Sequence, residues 1–343
     1  MSRKVRLLVC TFTTSALLLA STFLLAHEPG SRPNGAENSR HGAASKTAFS
    51  CRHLRVVLYP YVPDYQGFAR QIAKNFKASA EGKDIALEPV DLTDGYYDSK
   101  SDEYIGRTTA DIYEIDSVLL TDMATAHQIR PLPDAIKPAK DEFIDTAQRR
   151  TLIGGTAYGY PQWVCANFLF YRSDDSAIAG AKTLADLEHA MATPGTGSQW
   201  LLADLKGSST LGEFYLMALF DQYKDWSTVA AHLSGLENEE VSDVLRLAAL
   251  CDHGRCHSAT RHAVVGAYGR EFAHGRGRIL VGYSETLYYV GAENALCSKA
   301  DNCLSTDALA VKLVPLDDQG VTPMIWVDNF ALSPGDVLRG VDF

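Results

Sequence analysis

From Leu54 onward the chain alternates short apolar runs with longer segments whose apolar residues recur at helical spacing. LRVVLYPYVPDY (Leu54 to Tyr65) starts as an apolar β-branched run and ends among prolines. That is the composition of a strand entering a turn. QGFARQIAKNFKAS follows, with Phe68, Ile72 and Phe76 on one helical face. IALEPVDL predicts a second strand, and TADIYEIDSVLLTDMATAHQ a strand running into a helix. This β-α-β-α order predicts an α/β fold with helices covering the sheet. Further along, GYPQWVCANFLFYR (Gly159 to Arg172) reads as one long apolar strand, with helices around Leu184–Met191, Leu211–Tyr223 and Ser242–Ala249. FAHGRGRILVGYSETLYYVG (Phe272 to Gly291) reads as a helix end, a strand and a loop. No internal repeat is visible.

The N-terminus has a different pattern. Arg3, Lys4 and Arg6 precede an apolar run from Leu7 to Ala26, followed by His27. A positive start, an apolar stretch and a small residue at its end describe an export signal cleaved after Ala26, giving a secreted or periplasmic protein. The run is also about long enough to act as an uncleaved anchor, the competing reading. Residues 27–50 are small and polar, the composition of a disordered linker. After signal cleavage no stable membrane association is expected.

The chain has 343 residues, 46% hydrophobic and 22% charged, with a formal net charge of -10. No basic stripe is present, which argues against nucleic acid as a partner. Seven cysteines occur, and Cys10 leaves with the signal. In an oxidising compartment the close pairs Cys251/Cys256 and Cys297/Cys303 could each close a small loop, which leaves Cys51 and Cys165.

Two residues stand out chemically. Cys165, in Trp163-Val164-Cys165-Ala166-Asn167, is either a small buried hydrophobe or a nucleophile. The second reading needs a neighbour that holds the thiolate, because a free thiol is mostly protonated at neutral pH. Glu285, in Gly282-Tyr283-Ser284-Glu285, follows an apolar strand and is either a solvated loop carboxylate or a base raised in pKa by burial.

YPYVPD (Tyr59 to Asp64), Ile115-Asp116-Ser117, GYPQWVCANFLFYR and GYSET (Gly282 to Thr286) together resemble segments of the thiaminase I (thiamine pyridinylase) family, in the same order, and the resemblance runs from about Leu54 to Ser333. It implies a two-lobed type II periplasmic-binding-protein-like fold with a cleft between lobes: residues 51–160 with 284–343 as one lobe and 161–283 as the other. It also implies that Cys165 is the nucleophile and Glu285 the base. Asp116 and Asp328 would be substrate-site carboxylates, and Tyr59, Tyr61 and Tyr283 aromatic site residues. Tyr97 (or Tyr96) and Tyr268 match further family tyrosines. The family continues beyond the segment matching WVDNFALS, whereas this chain stops at Phe343, so shortened C-terminal helices are expected.

The implied reaction displaces the thiazole of thiamine by a nucleophilic co-substrate such as pyridine, another organic base or a thiol, without cofactor or metal, in a monomer. Three other readings stand against it. A non-catalytic thiamine-binding protein would share the fold, and a hydrolase would use water as the acceptor. CDHGRCHSATRH (Cys251 to His262) offers Cys251, His253, Cys256, His257 and His262 as zinc ligands, although its spacing fits a disulfide better.

Overall fold

The computed structural model describes residues 52–334, apart from short stretches at 80–81, 84, 93–94, 103, 140–141, 195–198, 252, 298–302 and 323. The expected signal, the linker, Cys10, Cys51 and the last residues of the chain lie outside the described residues. The principal strands are β1 (Arg52–Val57), β2 (Ile85–Val90), β3 (Ile112–Asp116), β4 (Tyr160–Cys165), β5 (Asn167–Arg172), β6 (Leu201–Leu202), β7 (Ile279–Tyr283), β8 (Leu309–Leu313) and β9 (Trp326–Leu332). The helices used below are α1 (Tyr65–Ala78), α2 (Ser117–Thr125), α3 (Leu184–Ala192), α4 (Ser208–Tyr223), α5 (Asn238–Ala249), α6 (Ala267–Ala273) and α7 (Thr286–Leu296).

The chain divides into two compact units, residues 1–164 with 327–343 and residues 165–326. The first unit holds a five-stranded mixed sheet in the order β2-β1-β3-β9-β4. β1 pairs in parallel with β2 and β3, and β9 runs antiparallel to β3. Side chains alternate across a strand, so β1 feeds two cores. Val56, with the following Leu58, packs with Tyr65 and Ala69 of α1. Val57 packs on the other side with Ile115, Leu120 and Met123. Each of these fully buried aliphatic side chains stabilises the unit by roughly 1.5–3 kcal/mol. Asp64 starts α1 by accepting the Gly67 N–H, at a left-handed φ of 50°.

The second unit holds a four-stranded sheet in the order β8-β5-β7-β6. β5 lies antiparallel to β8 and β7, and β6 parallel to β7. The same alternation divides its core. Leu169, Ile279 and Val281 pack with Leu184, Leu187, Phe214 and Leu247 of the helices. Phe170 and Leu280 pack on the opposite face with Phe272 and Val290.

Three sequence expectations change here. Gly159–Arg172 is two strands, broken at Ala166, and they belong to different sheets. A continuous apolar run does not reveal where a chain leaves one sheet for another. The loop expected after the strand, up to Gly291, is instead part of a helix, Thr286–Leu296, that starts directly after Glu285. The second boundary between the units falls at residues 326/327 rather than 283/284. The intervening segment stays with the second unit because β8 pairs with β5 along five residues and α7 packs on α6, where Gly269 meets the side chain of Tyr289.

Arg278 joins several parts of this second unit. It is 3% exposed and donates to both carboxylate oxygens of Asp175 (2.7 and 3.1 Å) and to the carbonyls of Ala190 and Thr193 at the end of α3. Arg278→Met leaves a buried carboxylate and two carbonyls without this donor. We expect a loss of about 3–5 kcal/mol in urea unfolding, and a loss below about 1 kcal/mol would contradict the role given to this cluster.

Candidate active site

Cys165 is half-buried at the end of β4, and β5 begins two residues later. β5 pairs with β7 so that Asn167 lies opposite Tyr283. That register carries Cys165, two residues before Asn167, toward Glu285, two residues after Tyr283. The Cys165 Sγ comes to 4.0 Å from Glu285 Oε2 and 3.9 Å from Ser284 Oγ. Gly282, near the end of β7, lies close to Thr286, where a Cβ would sit 2.6 Å from Thr286 Oγ1.

Glu285 is the residue immediately before α7, where the helix N-terminus favours a carboxylate. Burial works the other way and pushes its carboxyl up to about 7, against its own backbone N–H and the Ser284 hydroxyl, and with a further push from Glu213. A carboxyl that titrates near neutrality beside a thiol is suited to removing the thiol proton. Glu213, on α4, ties the frame together. Its Oε2 accepts from Asn167 Nδ2 (3.2 Å) and from the Tyr283 hydroxyl. It therefore bridges the cross-strand pair that sets the Cys165–Glu285 separation. Burial and the Glu213 charge keep the Tyr283 phenol protonated well above its usual range.

The first unit contains a second group of predicted residues. Asp116 and Asp328 are direct cross-strand neighbours on β3 and β9. Asp116 caps α2 through the Val118 N–H (3.1 Å) and accepts from the Tyr97 hydroxyl (2.6 Å). Burial raises the Asp116 carboxyl above its usual range despite the Tyr97 donor. Burial, with Tyr59 and Asp116 nearby, holds Tyr97 protonated. Tyr59 meets Tyr61, Tyr96, Tyr97 and Trp163 edge to face, and Tyr61 stacks on Tyr97 with ring centroids 5.8 Å apart. Acidic groups among exposed aromatic faces make a surface suited to a flat cation.

Tyr268 lies in the second unit. Its hydroxyl donates to the carbonyls of Arg255 and Cys256 (3.0 and 3.1 Å), and its ring packs among Phe170, Phe272 and Val290. The supposed zinc segment is not assembled among the described residues: the Cys251 and Cys256 sulfurs lie within disulfide reach of each other, and His262 bonds Asp204 (2.8 Å). Cys297 and Cys303 are also within disulfide reach.

Sequence reasoning missed Glu213, Trp163 and Glu114. Glu213 is a lone charge in the apolar helical run TLGEFYLMALF, a signal that was there to be used. Trp163 lies two residues before Cys165 on the same strand, and its indole Nε1 donates to Asp328. Glu114 is 0% exposed on β3 and accepts the Tyr59 N–H (2.7 Å).

The two-sheet α/β architecture is that of the type II periplasmic-binding-protein fold. The solute-binding protein RafE of Streptococcus pneumoniae has a TM-score of 0.59 with this chain at 14% identity, over 84% of this chain and 74% of its own. Residues 166–298 match the Thiaminase-1 domain family. The chain is 26% identical over 259 residues to the Thiaminase-1 of Paenibacillus thiaminolyticus, covering 73% of this chain and 61% of that protein. It thus spans less than two thirds of that relative's length. Clostridium botulinum thiaminase I, solved in complex with thiamin, has a TM-score of 0.66 at 20% identity, over 82% of this chain and 73% of its own. No helix among the described residues is long and apolar enough to cross a membrane.

Burial pushes the Glu114 carboxyl up to about 8 from an ordinary 4.5. With the folded value above the unfolded one, the native state binds the extra proton. Stability is then full below about pH 4.5 and declines as pH rises toward 8. Glu114→Gln keeps an acceptor for Tyr59 and abolishes that decline. Its stability relative to the parent should rise between pH 4.5 and 8, by at most about 5 kcal/mol, and level off above. Chemical denaturation across pH tests this, and a pH-independent difference would contradict it.

Proposed function

We propose that the chain is a thiamine-degrading transferase of the thiaminase I type. The observation that carries this reading is the Cys165 thiol beside a Glu285 carboxyl raised to about 7. The Thiaminase-1 domain match over residues 166–298 supports it.

In this reading Glu285 accepts the Cys165 proton, and the thiolate adds to the pyrimidine ring of thiamine at the carbon next to a ring nitrogen. The electron pair pushed onto the ring returns to expel the thiazole, which departs with the electrons of its bond to the methylene and becomes neutral. An organic base or thiol then attacks the methylene carbon. Collapse of the adduct releases Cys165 as thiolate, ready to recover its proton. Asp116 and Asp328 hold the aminopyrimidine and favour its protonated, more electrophilic form. Tyr59, Tyr61, Tyr97 and Tyr283 pack against the rings and favour the cationic thiazolium. The leader from Arg3 to Ala26 supports export, and the first substrate would then be met outside the cytoplasm.

The test is mass spectrometry of the purified chain incubated with thiamine, with and without pyridine. A pyrimidine–pyridine product establishes the transferase. Hydroxymethyl-pyrimidine in both incubations identifies a hydrolase, and intact thiamine that raises the melting temperature identifies a binding protein. Glu285→Gln should lower kcat by roughly 10²- to 10⁴-fold, the usual contribution of a general base, and Cys165→Ser by at least as much. Near-normal turnover in either variant would overturn the assigned roles.

Glu213 acts as a positioning residue in the same scheme. The acid limb of kcat/KM should titrate near pH 7, since Glu285 must be ionised to accept the proton. Glu213→Gln keeps acceptors for Asn167 and Tyr283 but removes a charge that raises Glu285, so this limb should move to lower pH. Glu213→Ala should instead lower kcat on the order of ten- to hundredfold, with a smaller effect on KM. A Gln variant with an unmoved acid limb would rule out the electrostatic part of this role.

A further inference from the structure

The cysteines of the second close pair lie against a histidine, which does no work in the proposed reaction. The Cys303 Sγ is 3.4 Å from His274 Nδ1, and the ligand atoms of His274, Cys297 and Cys303 all lie within 4.8 Å of one another. On its far side the His274 ring meets a carboxylate, with Nε2 2.8 Å from Glu293 Oε1. In the tautomer that donates from Nε2 to this carboxylate, the Nδ1 lone pair faces the sulfur. This arrangement orients a histidine for metal ligation.

We propose that His274 Nδ1, Cys297 Sγ and Cys303 Sγ form a binding site for a zinc-class divalent cation whenever the two cysteines are thiols, with Glu293 as the group that orients His274. Zinc–sulfur and zinc–nitrogen bonds of about 2.3 and 2.0 Å put tetrahedral ligand atoms roughly 3.3–3.8 Å apart, and Cys303 Sγ already lies 3.4 Å from His274 Nδ1. Regular structure fixes the supporting backbone. His274 follows α6 directly, Glu293 lies on α7 and Cys297 is the residue after it. The Leu304 N–H donates to the Ala273 carbonyl (2.7 Å), which pins Cys303 beside His274.

The stoichiometry is simple. The cation replaces the two thiol protons, two thiolates balance its charge, and a solvent oxygen fills the fourth position on the exposed side of His274. A disulfide between Cys297 and Cys303 uses the same two sulfurs, so oxidation and metal binding exclude each other.

The experiment titrates the full chain with cobalt(II) after reduction by a phosphine and, in parallel, without reduction. The expected result is one tightly bound equivalent in the reduced protein, with a thiolate-to-cobalt charge-transfer band that Cys303→Ser abolishes. His274→Ala should weaken binding at least tenfold, and Glu293→Gln on the order of tenfold. In the unreduced protein the band should be absent. Zinc should also protect Cys297 and Cys303 of the unsubstituted reduced protein from alkylation while Cys165 still reacts, as read by peptide mass spectrometry. This arm needs no variant to fold. Absence of the band in reduced protein, the same band in the His274 and Cys303 variants, or unaltered alkylation of Cys297 and Cys303 would each overturn the proposal.

Discussion

The candidate chemistry depends on the register between β5 and β7. Placing Asn167 opposite Tyr283 brings together a thiol and a carboxyl that are 120 residues apart in the chain. A slip of one residue would turn each side chain to the opposite face of its strand. The buried residues on both faces oppose such a slip. Leu169, Ile279 and Val281 are committed to one core, and Phe170 and Leu280 to the other. Glu213 adds a polar clamp on the same pair of strands. Packing of the second unit thus aligns Cys165 with Glu285 without any local motif around either residue.

Desolvation then decides the protonation states. At the start of α7 the helix dipole would lower the Glu285 carboxyl, yet burial dominates and brings it to about 7. In the first unit the same effect raises Glu114 and Asp116. There the Tyr97 hydroxyl bonds Asp116, and Tyr59 and Tyr61 pack on Tyr97, so the acidic group lies beside a cluster of aromatic rings.

The cysteines divide by environment. Cys251 and Cys256 are buried, and the Cys251 sulfur faces the Leu201 carbonyl at the edge of the second sheet. Cys297 and Cys303 are half-exposed beside a histidine–carboxylate pair. Cys165 sits beside a titrating carboxyl. One residue type therefore sits in three different surroundings, and the roles proposed for these cysteines follow from their neighbours.

The α/β class and the order of the principal elements were legible in the sequence, because hydrophobic period is a local property, whereas Cys165, Glu285, Asp116 and Asp328 stood out as site candidates only through the family resemblance. The break at Ala166 was not, since β4 and β5 are equally apolar and only pairing distinguishes their sheets. The helical character of Thr286–Leu296 was hidden by its run of aromatic and β-branched residues, which packing against α6 overrides. Tyr268, which matches a family tyrosine in sequence, bonds the Arg255 and Cys256 carbonyls, and Glu213 showed only as a lone charge in an apolar helical run. Local sequence thus determined which groups are available and on what kind of element each resides. The approach of Cys165 to Glu285, the raised carboxyls and the clamp by Glu213 were decided by tertiary structure, because distance, register and desolvation arise only when segments far apart in the chain pack against one another.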